Sequence, residues 1–333
     1  MSADISVIIT VHNRKEFLLD ALRSVLNQGL PRRMYEVIVV KNFRDPALDD
    51  AISELADRNL FSEQIGVGGK VYEAVRVAQG EVLSFLEDDD EFLPGKLEAV
   101  HKAFRNGADY YHNGGLLVNE SGRVVQTFGQ AYLIRGEPEK RKNLRSMLRS
   151  LSFYNASSIS IRKRLLPLDA LKKIEVAPDL FYFYSALLYG STLIDDPLPL
   201  TKVRVHSQNS SVDLTSAERN AEKQLALLKR SVSDNLLMLE LTRGSPFGPA
   251  ARQQLAKNRL AIVGHPFGGL GDLHPSDLFW FLWQPIPARA QRYPFRLYPI
   301  YVARNLFSPV LPPPLKRVLQ ARSYFRRLGL ARG

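Results

Sequence analysis

Ile5–Val40, ISVIITVHNRKEFLLDALRSVLNQGLPRRMYEVIVV, decides the fold. Its two ends, Ile5–Val11 and Tyr35–Val40, are β-branched runs without strict polar alternation, the pattern of strands covered on both faces of a parallel sheet. Between them Phe17, Leu18, Ala21, Leu22, Val25 and Leu26 recur at helical spacing over Lys15–Gln28, and Gly29 with Pro31 stops the helix. Strand, helix and strand in this short space make a βαβ unit and place the chain in the α/β class.

Working outward, the spacing predicts helices over Pro46–Asn59 and Lys70–Gln79, a strand over Glu81–Leu86 and a helix over Gly95–Arg105. Asp109–Phe128 reads as short strands with turns at Asn113-Gly114-Gly115 and Glu120-Ser121-Gly122. Glu137–Arg149 reads as a solvated helix or loop, Ser157–Ile161 as a strand, Ala177–Tyr189 as an aromatic-rich helix and Leu200–His206 as a strand. Beyond residue 213 the character changes. Thr215 and Glu218 suit a capping box opening a long helix to about Thr242, with Leu225, Leu228, Val232, Leu236 and Leu239 as its apolar stripe. Two regions are therefore expected, 1–212 and a helical 213–333.

The absence of cysteine excludes disulfides, thiolate metal sites and a cysteine nucleophile, and points to the cytoplasm. The first residues enter a strand directly, without the basic and apolar regions of a signal peptide, and no apolar run is long enough to span a bilayer. The formal charge of +11 is uneven. Residues 278–333 hold ten Lys and Arg and no acid, which leaves about +1 for the remainder.

Against that near-neutral background stands Leu86-Glu87-Asp88-Asp89-Asp90-Glu91-Phe92-Leu93, with carboxylates packed behind an apolar strand. Such runs are commonly exposed acidic turns. At the carboxyl end of a strand in an open α/β sheet, where ligands bind, the run also suits a hard divalent cation that offsets its repulsion.

Val7–Gln28, Glu36–Val40, Ala78–Glu98, Pro178–Gly190 and Val203–Ser211, in this order and spacing, resemble the successive signatures of a family 2 inverting glycosyltransferase of GT-A fold. The resemblance covers about residues 4–212. It implies a Rossmann-like, mostly parallel sheet flanked by helices, to which the helical, basic region read after residue 213 is a C-terminal extension. It also implies Mn²⁺ or Mg²⁺ as cofactor and a nucleoside-diphosphate sugar as donor, a UDP-sugar ahead of a GDP-sugar. The family's acidic motif falls on Glu87, Asp88, Asp89 and Asp90, with Glu87 in place of the usual first Asp. Asp89 is then the principal metal ligand, Asp88 a ribose or metal partner, and Glu87 and Asp90 shape the site.

By the same resemblance Thr10, His12 and Asn13 form the nucleotide-cradling turn after the first strand. The usual Asp-Asp at the end of the second strand is replaced by Lys41 and Asn42, and Asn42 keeps a donor and an acceptor for a base edge. The Ala-Arg-Asn before the third helix is missing, leaving Lys70 as the nearby cation for phosphate. Asp179, at a helix start, is implied as the base that deprotonates the acceptor, a role compatible with capping the helix. His206 is implied as a ligand near the metal or diphosphate, and Arg204 as a phosphate partner. The acceptor is expected to be a hydroxyl or phosphate on a lipid-linked or cell-surface glycan. The alternative is a non-catalytic relative that binds nucleotide-sugar or glycan.

Residues 278–333 interleave arginine with Trp280, Trp283, Tyr293, Tyr298 and other rings. That mixture suits an anionic membrane surface, the inner face for a cytoplasmic protein. A basic subdomain packed on the protein, or an oligomer contact, is the competing reading. Nucleic acid ranks below both, because no recognition motif accompanies the charge.

Overall fold

The βαβ unit forms as its pattern requires. The structure, a computed structural model, describes residues 3–206, 216–263, 265, 267–268 and 274–282. In chain order the first part comprises β1 (Ile5–Val11), α1 (Leu18–Leu26), β2 (Tyr35–Lys41), α2 (Pro46–Leu55), β3 (Arg58–Phe61), α3 (Val67–Val77), β4 (Val82–Glu87), β5 (Glu91–Phe92) and α4 (Lys96–Arg105). These are followed by β6 (Tyr110–Val118), β7 (Val124–Phe128), β8 (Tyr132–Arg135), α5 (Gly136–Ser150), β9 (Ile159–Arg162), α6 (Leu168–Leu171), α7 (Pro178–Tyr189) and β10 (Thr192–Arg204). The chain divides into two compact units, Met1–Arg204 and Val205–Gly333. The boundary expected at 212/213 lies outside the described residues.

One sheet runs β3-β2-β1-β4-β9-β6-β10-β5, with β7 added to β6 and β8 to β10. From β3 to β4 all pairings are parallel, and so is β6 with β10. Strand β9 joins β4 and β6 by antiparallel pairs. Strand β1 lies between β2 and β4, and Thr10 near its end is level with Val40 and Glu87. This is where the winding reverses, so the loops after β1, β2 and β4 diverge around a crevice. Ile5, Val7, Ile9, Leu22, Val25, Val37, Val39, Leu86, Leu97 and Val100 share the core between β1, β2, β4 and the helices α1 and α4. A buried polar tie fixes the opposite end of these strands. Ser6 Oγ donates to Glu36 Oε1 at 2.5 Å, Gly80 N donates to Ser6 Oγ at 2.9 Å, and Gln79 N also donates to Glu36. A Cβ on Gly80 would meet Ser6 N at 2.6 Å, so this closure of β1, β2 and the entry to β4 requires glycine.

Several expectations need correction. The helix expected over Pro46–Asn59 stops at Leu55, and β3 follows, because Asp57 turns back to β2 through its amide on Val37 O and its carboxylate on Val37 N. Strand β3 is half-exposed and gave no apolar signal. Helix α3 begins at Val67 rather than Lys70. Gly68 and Gly69 are poor helix formers, but a Cβ at Gly68 would strike Leu171 O at 2.1 Å. Asn113-Gly114-Gly115 is no turn: it is the middle of β6. The glycines admit close neighbours, since a Cβ would lie 2.6 Å from Phe128 O and Pro197 O at Gly114, and 2.5 Å from the Phe128 ring at Gly115. The Glu120-Ser121-Gly122 turn is present, with Gly122 at φ 77°.

The second unit contains α8 (Ala217–Leu241), α9 (Gly248–Val263) and α10 (Pro275–Leu282). The cap of α8 is Ser216, accepting from Arg219 N at 3.1 Å, one residue later than the expected Thr215, which lies outside the described residues. The apolar stripe also shifts. Ala221, Leu225 and Met238 are buried with Asp234 and Asn235, whereas Leu236 is exposed. Asn258 on α9 donates to Ser231 Oγ at 2.8 Å, so polar contacts share the α8–α9 interface. Asp277 at the start of α10 pairs with Arg252 and Arg259 at 3.4 and 3.3 Å. From residue 283 onward the basic aromatic tail lies outside the described residues. Among those described, no helix is long and apolar enough to cross a membrane.

Lys96, the first residue of α4, is wholly buried in the first unit. Its ammonium donates to Asn113 Oδ1 and faces the rings of Phe92 and Tyr111 at 5.3 and 5.7 Å. Asn113 in turn donates to Thr201 Oγ1 at 2.9 Å, joining α4, β6 and β10. Burial lowers the Lys96 pKa from the ordinary 10.5 to about 7, against the opposing pull of Asp196. Between those values the unfolded chain holds a proton that the folded chain has released, so this residue makes stability rise with pH across the window. Denaturant unfolding at about pH 7 and about pH 9.5 should show a stability gain with pH that is larger in the wild type than in Lys96→Met. Identical pH slopes would contradict this account of Lys96.

Candidate active site

Strand β4 delivers its acids where β1 and β2 end. Glu87 closes the strand, the Asp90 amide turns back onto Glu87 O at 3.1 Å, and Glu91 starts β5. This tight turn folds the run of acids together instead of extending it. Carboxylate oxygens of Glu87, Asp89 and Asp90 lie within 4.8 Å of one another. Asp88, Asp89 and Asp90 are all buried. Burial and mutual repulsion make Glu87, Asp88 and Asp90 hold their protons more tightly. Glu87 is raised well above its usual range, by burial first and then by Asp90, Asp89, Asp179 and Asp88. Asp90 is raised to about 7, chiefly by burial and then by Asp89. Asp88 is raised to about 6 by burial, with Arg14 pulling the other way.

Other elements hold the turn: the segment before β9 and the end of β10 serve Asp90, and the turn after β1 serves both Asp88 and Asp89. Asp90 Oδ2 accepts from Asn155 Nδ2 at 2.8 Å and Ser157 Oγ at 2.6 Å, and Oδ1 accepts from Arg204 N at 3.0 Å. The Glu87 amide donates to Ser157 Oγ at 3.0 Å. Asp88 receives Arg14 through Nη2 on Oδ1 and Nε on Oδ2, the latter at 3.3 Å, while Arg14 Nη1 reaches Asp89 Oδ2 at 2.6 Å. Arg14 is aimed by the turn after β1. Asn13 is left-handed, at φ 58°, a conformation that asparagine tolerates better than most residues. Asn42, at the end of β2, clamps it, with Asn13 N on Asn42 Oδ1 at 2.9 Å and Asn42 Nδ2 on Asn13 Oδ1 at 2.7 Å.

The sequence-predicted residues therefore divide. Thr10, His12, Asn13, Asn42, Lys70, Asp88 and Asp89 converge at the ends of β1, β2 and β4. Lys70 is buried in α3 and donates from Nζ to His12 Nδ1 at 2.7 Å. Asp179, in the first turn of α7, accepts from Leu180 N at 2.8 Å, and its charge contributes to raising Glu87. Arg204 ends the first unit, donating from Nε to Asp89 O at 3.3 Å and from Nη2 to Glu91 at 2.6 Å, with its guanidinium over the Phe17 ring. His206 is buried and belongs to the second unit. Lys41, which replaces an expected acid, is buried and turned toward α2, on Asp49 at 2.6 Å and Phe43 O at 2.8 Å.

Three participants escaped the sequence reading. Arg14 lies within the Ile5–Val40 stretch, directly after Asn13, and its significance appears once Thr10 is known to be level with Glu87 on the neighbouring strand. Asn155 and Ser157 carry no signal in the sequence, because their contact with Asp90 spans 65 and 67 residues.

The family described as glycosyl transferase family 2 matches residues 6–166, which contain β1 to β4 and the acidic turn. The chain carries a glycosyl transferase family 2 domain, and it is an enzyme of that family. It is 24% identical over 274 residues to an uncharacterised glycosyltransferase of Nostoc sp., covering 76% of this chain and 80% of the relative. It is 29% identical over 135 residues to the GalNAc(5)-diNAcBac-PP-undecaprenol beta-1,3-glucosyltransferase of Campylobacter jejuni, covering 37% of this chain and 41% of the relative. Among solved structures it is similar to S. aureus TarS 1–349 in complex with UDP-GlcNAc, with TM-score 0.53 and 17% identity over 98% of this chain and 92% of that one. It is also similar to the mannosyltransferase PcManGT from Pyrobaculum calidifontis in complex with GDP-Man and Mn²⁺, with TM-score 0.52 and 15% identity over 93% and 87%. At these identities the likeness is one of fold, and the fold is GT-A-like.

Proposed function

We propose that this glycosyltransferase is metal-dependent and inverting, and moves a sugar from a nucleoside diphosphate to a hydroxyl or phosphate acceptor on a lipid-linked or cell-surface glycan. The observation that carries this reading is the convergence of Glu87, Asp89 and Asp90 at the carboxyl end of β4, beside Asp179 on α7. Oxygen-only donors crowded enough to resist ionisation fit a hard cation such as Mn²⁺ or Mg²⁺. When bound there, the ion supplies Lewis-acid stabilisation of charge on the departing diphosphate.

The residues of the chain supply the rest. Thr10, His12, Asn13 and Asn42 border the nucleoside at the ends of β1 and β2, with Lys70 held behind His12. Asp88 and Arg204 lie on the ribose and phosphate side. Asp179 takes the proton of the acceptor hydroxyl as the oxygen attacks the anomeric carbon. The bond from that carbon to the diphosphate oxygen breaks on the opposite face, its electron pair leaves with the nucleoside diphosphate, and the configuration inverts.

A UDP-sugar ranks ahead of a GDP-sugar, and the two solved neighbours carry UDP-GlcNAc and GDP-Man. The lipid-linked acceptor draws support from the undecaprenol-linked substrate in the Campylobacter relative's name. Residues 278–333 are proposed to meet an anionic membrane surface, which would bring the site to such an acceptor.

Asp179→Asn should lower kcat for transfer by about 100-fold or more while leaving nucleotide binding near wild type. Asp89→Ala should abolish the rise in melting temperature that Mn²⁺ and UDP or GDP together give the wild type. Unchanged transfer by both variants, in a preparation whose wild type is active, would overturn the mechanism. Full-length protein should float with anionic vesicles, and substitution of Arg292, Arg296, Arg304 and Arg317 by Gln should weaken that association; equal flotation would remove the membrane role of the tail.

A further inference from the structure

Arg14 ties the metal question to the nucleotide. Its guanidinium spans two carboxylates, engaging Asp88 through Nε and Nη2 and Asp89 through Nη1, with 2.6 Å from Nη1 to Asp89 Oδ2. Asp88 also accepts the His12 amide, so two neighbouring residues of the β1 turn grip it. Asp89 is different: it belongs both to the Arg14 pair and to the trio Glu87, Asp89 and Asp90. A dication on that trio would share one carboxylate with a guanidinium. Two cations a few ångströms apart in a buried pocket repel strongly, because little water lies between them to screen the charge.

The turn that presents Arg14 is built rather than adventitious. Asn13 adopts its left-handed conformation with Asn42 bonded to it through both ends of the side-chain amide. Arg14 is therefore delivered from the strand next to β4, and its side chain is largely covered, at 17% exposure. Letting go of Asp89 does not require it to leave Asp88, since separate guanidinium nitrogens serve the two acids.

We propose that Arg14 is the cation a metal must displace from Asp89, which makes metal binding depend on a nucleoside diphosphate arriving with it. The diphosphate is what tips the exchange. Its oxygens offer the ion further ligands and give the guanidinium a new anionic partner, so the two cations no longer compete for one carboxylate. By linkage, metal and nucleotide then strengthen each other's binding by the same factor. This inference rests on the metal-dependent reading above, and it assigns Arg14 a positioning role at the donor site.

The test is Mn²⁺ binding to the full chain, followed by electron paramagnetic resonance without nucleotide and with saturating UDP or GDP. Arg14→Ala should bind Mn²⁺ without nucleotide about tenfold more tightly than wild type, and the factor by which nucleotide strengthens Mn²⁺ binding should shrink correspondingly. Arg14→Lys, which can still place an ammonium on Asp89, should stay nearer to wild type. Circular dichroism checks the fold, and Arg14→Gln takes the place of Arg14→Ala if the latter does not fold. Wild type that binds Mn²⁺ only with nucleotide, together with unchanged or weaker nucleotide-free binding in the Ala or Gln variant, would overturn the role of Arg14 and leave the metal reading intact. Failure of every protein to bind Mn²⁺ under either condition would remove both.

Discussion

The mutual repulsion of the carboxylates at the end of β4 is the constraint on which the site depends. Turning Glu87, Asp88, Asp89 and Asp90 into one pocket confines negative charge where water is excluded, and each acid responds by holding its proton more tightly or by finding a partner. The surrounding elements supply those partners. The turn after β1 sends Arg14 to Asp88 and Asp89, the segment before β9 sends Asn155 and Ser157 to Asp90, and the end of β10 gives Asp90 its backbone amide at Arg204. Removing the turn at Asp90 would separate the acids; removing their partners would leave charge buried without compensation, the costlier defect.

The same economy explains how the chain tolerates its departures from the family pattern. Lys41 stands where an acid is usual, yet its ammonium is drawn away to Asp49 on α2 and adds no positive charge to the pocket. Asn42 serves first as the clamp on Asn13. Lys70 is delivered by a helix that begins three residues earlier than its apolar stripe suggests, and it is held by His12. Asn42 and Lys70 thus both contact the turn that carries His12, Asn13 and Arg14, whereas Lys41 is turned away from it.

Much of the fold was legible because burial on two faces leaves an unmistakable pattern. The runs Ile5–Val11 and Tyr35–Val40 could serve as nothing but covered strands, and helical spacing located α1, α4 and α7 to within a few residues. What escaped was information that exists only across strands. The glycines at 114 and 115 read as a turn because a sequence does not display Pro197 O, Phe128 or Thr201 O pressing on β6. Strand β3 is half-exposed and had no periodicity to offer. In the site, the acids announced themselves by being contiguous, whereas Arg14, Asn155 and Ser157 became visible only when β1, β4 and β9 were laid side by side.

The central claim, that these acids destabilise one another until a cation joins them, is tested most directly by the melting temperature of Glu87→Gln against wild type. Glu87→Gln keeps the shape and removes the group that ionises. In chelator the account predicts that the variant melts at or above wild type, and that Mn²⁺ with nucleoside diphosphate then raises the wild type further than the variant. A variant that melts below wild type in chelator, yet gains as much from Mn²⁺ and nucleotide, would contradict it.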